Sequence, residues 1–193
     1  MDEVRKSASN AASNERAGLI SNETGSVAIE FAVVAPILII LIFGVVEATN
    51  MLAQDRKVAL ANQTMVDLIA RLDNVTNQDQ TTASQAVNLM LTPYNADYTA
   101  TIAILQFDKT GKPDFSNSNS SQFPVHGTNP FSQSEMTTDT TGLSVGSDAV
   151  VIGKITSTYE PILFPNFMNT SFSLSALNVQ RPRQGKINSS ISP

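Results

Sequence analysis

The pattern with the clearest chemical potential is a glycine–serine pair followed by a lone carboxylate, namely Gly25, Ser26 and Glu30. Cleavage after Gly25 would leave a free α-ammonium group on Ser26. In a helix, Glu30 lies about one turn, roughly 6 Å, from that group. The two charges could neutralise each other, within one chain or between neighbouring chains. Alternatively, Glu30 only complements the positive end of the helix dipole, worth about 0.3–1 kcal/mol.

The composition leaves little room for other chemistry. The 193 residues include no cysteine and one histidine, which excludes disulfides, thiol nucleophiles and most metal or triad sites. No phosphate-binding loop, nucleophile elbow or zinc-protease motif is present. His126 falls in a polar, proline-flanked segment that predicts a solvated loop. The net charge of −5 gives no footprint for a nucleic acid. We expect no enzyme activity, cofactor, metal or nucleic-acid partner.

The element that must position Glu30 is an apolar helix. Residues 31–46 read FAVVAPILIILIFGVV, and extension back to Ser26 gives 21 residues interrupted only by Glu30. A helix of that length spans about 31 Å, close to the hydrocarbon thickness of a bilayer. A run this apolar on every face favours a membrane span over the buried helix of a soluble domain. Pro36 and Gly44 fit a span, because membrane helices tolerate both.

The flanking segments bear on whether the span is retained and how it is oriented. The apolar run is too long for a cleaved secretory signal, and its exit, from Val45 to Asn50, is a poor cleavage site. Residues 1–25 form a polar leader, for which we expect a cytoplasmic location. Basic residues before and after the span balance, so the positive-inside rule alone leaves the orientation open.

The residues around the span resemble a known family. Residues 25–36 read GSVAIEFAVVAP and residues 44–47 read GVVE. This resembles the TadE-like proteins, which are pseudopilins of the tight-adherence (Tad, or Flp) pilus system. Their pattern is a glycine, a short apolar stretch, Glu-Phe or Glu-Tyr, a proline in the apolar run, and a glycine shortly before a second glutamate. The resemblance covers mainly residues 24–66, and it departs from the family where Glu23-Thr24 replaces the basic residue that often precedes the glycine.

The resemblance implies specific roles and partners. A prepilin peptidase would cut between Gly25 and Ser26, Glu30 and Phe31 would act in assembly, and Pro36 and Gly44 would shape the span. The implied partners are the inner membrane, the peptidase, a membrane platform and other pilus subunits, TadF-like and Flp pilin.

The rest of the chain predicts an α+β, pilin-like fold. Residues 47–72 continue the helix with an apolar stripe: Met51, Val58, Ala61, Met65, Leu68 and Leu72. Residues 73–183 form the predicted periplasmic domain, whose strands at 98–107, 150–159 and 171–179 build a small antiparallel sheet against that stripe. Within the domain, residues 116–147 predict a long loop or insertion. Residues 184–193 predict a disordered tail.

Two functional hypotheses follow. The favoured one is a structural pseudopilin or minor pilin, needed to assemble a bacterial Tad pilus for surface adherence. The alternative is an uncleaved, single-pass inner-membrane protein whose periplasmic domain binds a partner or ligand.

Overall fold

The computed structural model describes residues 23–94, 97–117, 120–143, 148–162, 171–185 and 187–189. The predicted leader, apart from its last three residues, lies outside the described part. The first element, helix α1, covers Glu23–Ala70, 48 residues with Pro36 in its interior. Contacts divide the chain into two units, residues 1–46 and residues 47–193.

In the first unit, the described part is the apolar half of α1. All but one of its residues from Gly25 to Val46 are exposed in the isolated chain, and Ala35 is half-buried. The helix is long and apolar enough to cross a membrane. Its large hydrophobic side chains point in every direction around the axis, so no single face is reserved for a soluble core.

In the second unit, the rest of α1 buries one face. Val58, Ala61 and Met65 of the predicted stripe are fully buried, together with Val66 and Ile69. The other predicted members, Met51, Leu68 and Leu72, are half-buried. No glycine or proline interrupts residues 45–70, which allows the helix to continue to Ala70.

In the described part of the chain, seven strands and two further helices follow α1. They are β1 (Asn74–Val75), α2 (Asn77–Leu91), β2 (Tyr98–Phe107), β3 (Pro113–Asp114), β4 (Ser121–His126), α3 (Gln133–Asp139), β5 (Ala149–Tyr159), β6 (Phe172–Gln180) and β7 (Asn188–Ser189). The main sheet has the order β3-β2-β5-β6, and β4 also pairs with β2; all of its pairings are antiparallel. This sheet against a long N-terminal helix confirms the predicted α+β fold class.

The main sheet is covered on both faces. One face packs against α1 and α2 through Ile102, Ile104, Val151 and Ile155. The other face carries a second cluster that includes Leu105, Phe131, Met136, Val150 and Ile152. Burial on both sides explains why nine of the ten residues of β2 are buried rather than alternating.

Helix α1 packs closely against the sheet at Gly153. A Cβ atom at this position would lie 2.3 Å from Cγ2 of Val66. The buried side-chain amide of Asn62 lies at the same point of the interface. It donates hydrogen bonds to the carbonyl oxygens of Gly153 (3.0 Å) and Ala176 (2.9 Å). The helix is therefore attached to β5 and β6 by a polar contact inside an apolar interface.

Three local predictions differ from the structure. Residues 116–147 were predicted as a loop or insertion, but the described part contains β4 and α3, because Phe123, Phe131 and Met136 are needed to cover the sheet. The polar stretch up to Thr82 predicts a connection before a short helix over residues 84–91, but α2 already begins at Asn77, behind a capping box between Thr76 and Asp79. In the predicted tail, Ile187 is fully buried and β7 pairs with β1.

Candidate functional site

The predicted cleavage and assembly residues lie at the start of α1. The helix begins at Glu23, so the Gly25–Ser26 peptide bond lies in its first turn. Ser26 and Glu30 are exposed and one turn apart, a rise of about 6 Å. Among the described residues, no salt bridge involves Glu30. Its carboxylate is open to a cation from outside this part of the chain.

Neither Gly25, directly before the span, nor Gly44 within it is required by packing within the described chain. A Cβ atom at Gly25 or at Gly44 would have no heavy atom within 4 Å. Gly25 also lowers the local helix propensity by about 1 kcal/mol relative to alanine. At these two positions, the absence of a side chain leaves the helix surface open to another molecule.

Phe31 and Pro36 lie on an unpartnered apolar surface. Phe31 is 67% exposed. Pro36 lies inside the helix and has no backbone N–H, so the span lacks one backbone hydrogen bond at this turn. The geometry suits contact with lipid or with the helix of a neighbouring subunit.

A second polar arrangement begins at Glu47, directly after the apolar run. Its carboxylate oxygen Oε1 accepts hydrogen bonds from the Tyr159 hydroxyl and from the backbone N–H of Ile162, the latter at 2.9 Å. The Tyr159 hydroxyl also lies 3.3 Å from the Glu47 carbonyl oxygen. The sequence singled out Glu47 only as part of the motif, because its partners are more than 110 residues away.

Tyr159 is held in the donor state by its surroundings. Its side chain is 2% exposed, and burial raises the pKa of its hydroxyl; the hydrogen bond to Glu47 and the charge of that carboxylate raise it further. The phenol therefore keeps its proton and donates to the carboxylate. This chemistry is suited to positioning the end of β5 on α1 rather than to proton transfer.

A shallow cavity of about 210 Å³ lies beside this arrangement. Tyr94, Asp97, Glu160 and Ile162 are among its lining residues. Gln54 lines it as well and donates hydrogen bonds to Ser157 Oγ (3.0 Å) and the Thr158 carbonyl oxygen (3.2 Å).

Lys57 contacts Tyr94, one of the residues that line this cavity. Its Nζ donates to the Thr92 carbonyl oxygen at 2.7 Å and lies 5.2 Å from the centre of the Tyr94 ring. These polar groups are engaged in holding α1 against the end of α2. Within the described segments, no group of three or more metal-ligating side chains is present.

His126 is placed differently from the prediction. It is the last residue of β4 rather than part of a loop, and it stays exposed. Its ring stacks on that of Tyr98, with ring centroids 4.1 Å apart and an angle of 15° between planes. The strand pairing of β4 with β2 brings these two rings together.

Comparison with known proteins gives one match. Residues 25–64 match the family model described as TadE-like protein, which confirms the predicted resemblance over that segment. The match includes Gly25, Glu30, Pro36, Gly44 and Glu47, and it ends within α1. Neither a curated protein nor a solved structure matches the chain.

Proposed function

We propose that this chain is a structural, non-enzymatic pseudopilin or minor pilin that is needed to assemble a bacterial Tad (Flp) pilus for surface adherence. The observation that carries the proposal is the match over residues 25–64, which falls on a helix long and apolar enough to cross a membrane. In this proposal residues 1–25 are cytoplasmic, residues 26–46 cross the inner membrane, and the α+β domain is periplasmic. TadF-like subunits, the Flp pilin and a membrane platform are its partners.

Processing by a prepilin peptidase would use the properties of Gly25. A peptidase binds its substrate in an extended form, so the first turn of α1 has to unwind. A glycine without packing contacts lowers the cost of that unwinding, since it is a poor helix former and nothing in the described chain holds it in place.

Assembly would use the carboxylate of Glu30. An unpaired carboxylate at the edge of a membrane span is costly. After cleavage, the ammonium of Ser26 would lie one turn away, in the same chain or in the next subunit. Pairing between subunits would remove the cost only in the correct register, and it would thereby favour one stacking arrangement of apolar helices.

The test is the pair Glu30→Ala and Glu30→Gln, with Asp55→Asn as the control. Asp55 is an exposed acid on the same helix, beyond the span. We expect both Glu30 variants to reach the membrane at normal or raised levels and to abolish pilus-dependent adherence, while the control keeps both. Normal piliation in Glu30→Ala would contradict an assembly role for this residue.

A further inference from the structure

One face of the main sheet is covered by a segment that is weakly attached to it. Residues 132–143, called the α3 segment below, consist of α3, its N-cap residue and the turn that follows. Met136 and Thr140 are the only buried residues of this segment. Met136 is also its only side chain in the second cluster, which includes Val150 and Ile152. A single apolar anchor is a weak attachment, because the stabilisation scales with the apolar area that is buried.

The polar groups of the α3 segment are satisfied largely within the segment itself. Glu135 Oε2 accepts hydrogen bonds from the backbone N–H and the hydroxyl of Ser132, both at 2.8 Å. Four threonine hydroxyls of the segment donate to the carbonyl oxygen four residues earlier. Because these hydrogen bonds would move with the segment, it can leave the sheet as a folded unit.

In the described part of the chain, two polar contacts join the α3 segment to other residues. Lys154 Nζ lies 3.3 Å from Glu135 Oε1, and the Arg181 guanidinium donates to the Leu143 carbonyl oxygen. The side chains of Glu135 and Arg181 are 47% and 51% exposed. Water can therefore replace both contacts at little cost in free energy.

The α3 segment has a fixed residue at one end and a flexible one at the other. Phe131, directly before it, is buried, and its backbone N–H donates to Gln122 Oε1 at 2.9 Å. Gly142 has a φ of +80°, and a Cβ atom there would meet no heavy atom within 4 Å. Since glycine tolerates both signs of φ, this position can absorb a change in backbone direction.

The space beneath the α3 segment is incompletely filled. A cavity of about 180 Å³ is lined by Met136 of the segment, by Leu105 of β2, and by Phe115 and Phe131 among others. Protein interiors are normally close-packed, so side chains beside a cavity lack some of the contacts that would hold them. The cavity therefore weakens the attachment that Met136 provides.

We propose that the α3 segment is a lid. It opens from the sheet as a unit, between Phe131 and Gly142, and uncovers the cavity and the apolar side chains of the second cluster. Met136 leaves the cluster and Glu135 exchanges Lys154 for water, while the capping box stays intact. The open form presents an apolar surface that the closed form hides. This inference goes beyond the proposed function and does not depend on it, since every residue involved lies in the second unit.

The absence of cysteine makes the test direct, because single cysteines can be introduced into the full chain without removing any. The variants are Val150→Cys and, as the control, Val151→Cys. These neighbours on β5 are 1% and 0% exposed, but Val150 belongs to the second cluster and Val151 to the cluster with α1. Ile152→Cys and Ile155→Cys, both fully buried on β5 in the same two clusters, repeat the comparison if a valine variant fails to fold.

The measured quantity is the rate of reaction with N-ethylmaleimide, for the full chain in detergent micelles without denaturant. We expect the thiol at 150 to react at least about tenfold faster than the thiol at 151, since local opening is more frequent than global unfolding. Lys154→Met removes the contact with Glu135, and it should raise the rate at 150 by about twofold to fivefold and leave the rate at 151 unchanged.

Equal rates at 150 and 151 would overturn the proposal, because both thiols would then react only through global unfolding. An acceleration by Lys154→Met at both positions would overturn it too, since Lys154 would then stabilise the whole domain. A rate at 150 that Lys154→Met leaves unchanged would show access by another route, and the lid would again be rejected.

Discussion

The hydroxyl of Tyr159, at the end of β5, donates a hydrogen bond to the carboxylate of Glu47, the first residue after the apolar run of α1. The contact joins residues 112 positions apart in the chain. It gives a structural reason for the second glutamate of the motif, which the sequence pattern alone does not supply. The same carboxylate also receives the N–H of Ile162, so it holds both the strand and the residue that starts the next connection.

Removal of the Tyr159 hydroxyl tests this contact. Tyr159→Phe leaves the half-buried Glu47 carboxylate with fewer donors, and we expect the free energy of unfolding to fall by about 1.5–3 kcal/mol. Urea unfolding of the full chain in detergent micelles measures the change. Tyr94→Phe is the control, since its ring stays available to Lys57, and we expect a change within about 0.5 kcal/mol. Equal effects of the two variants would contradict a specific role for the Glu47 contact.

The amide of Asn62 provides a second test, on the helix–sheet contact. Asn62 is 1% exposed and its Nδ2 donates to two carbonyl oxygens. A carboxylate there cannot donate, so Asn62→Asp should lower the free energy of unfolding by at least about 3 kcal/mol at neutral pH. Gln63→Glu, an exposed neighbour on the same helix, should stay within about 0.5 kcal/mol.

The pH dependence of Asn62→Asp has a defined sign. Burial raises the pKa of the introduced carboxyl in the folded state above its unfolded value of about 3.9. Relative to the native chain, the stability of the variant should therefore be greatest below about pH 4 and decrease as the pH rises, until the folded carboxyl ionises. A destabilisation independent of pH would show that the site is open to water.

Glu135 gives the opposite pH dependence in the native chain. The backbone N–H of Ser132, the hydroxyl of Ser132 and the Lys154 ammonium lower the pKa of Glu135 from 4.5 to about 2. Its contribution to stability is present above pH 4.5 and is lost as the pH falls toward 2. We expect Glu135→Gln to show a shallower loss of stability over that range, measured by thermal unfolding at several pH values. Parallel curves for the two proteins would refute this contribution.

Much of the fold could be predicted because its signals are local. The apolar run of residues 31–46 and the β-rich runs that became β2 and β5 depend only on residue type and spacing. Both capping boxes, Thr76 with Asp79 and Ser132 with Glu135, were also readable as Ser or Thr followed three residues later by an acid. Those pairs mark the starts of α2 and α3.

The parts that could not be predicted depend on contacts between distant residues. Asn62 and Gln54 are polar, so an apolar stripe omits them. Their burial is explained by the groups of β5 and β6 to which they donate, namely backbone carbonyls and, for Gln54, the Ser157 hydroxyl. Burial of Ile187 likewise depends on a pairing between β1 and β7 across more than 110 residues. For Gly25 and Glu30 the structure gives position and exposure, while their roles concern other molecules.

The most direct test of the pseudopilin proposal is the intact mass of the native protein purified from membranes of cells with an active prepilin peptidase. We expect a mature chain that begins at Ser26 and lacks residues 1–25. The variant Gly25→Ala should give a chain of full mass, since the peptidase would no longer cut it. An alanine side chain at this position meets no heavy atom within 4 Å in the described structure, so the variant should keep its fold. Recovery of the unprocessed native chain, with its leader still attached, would contradict the account.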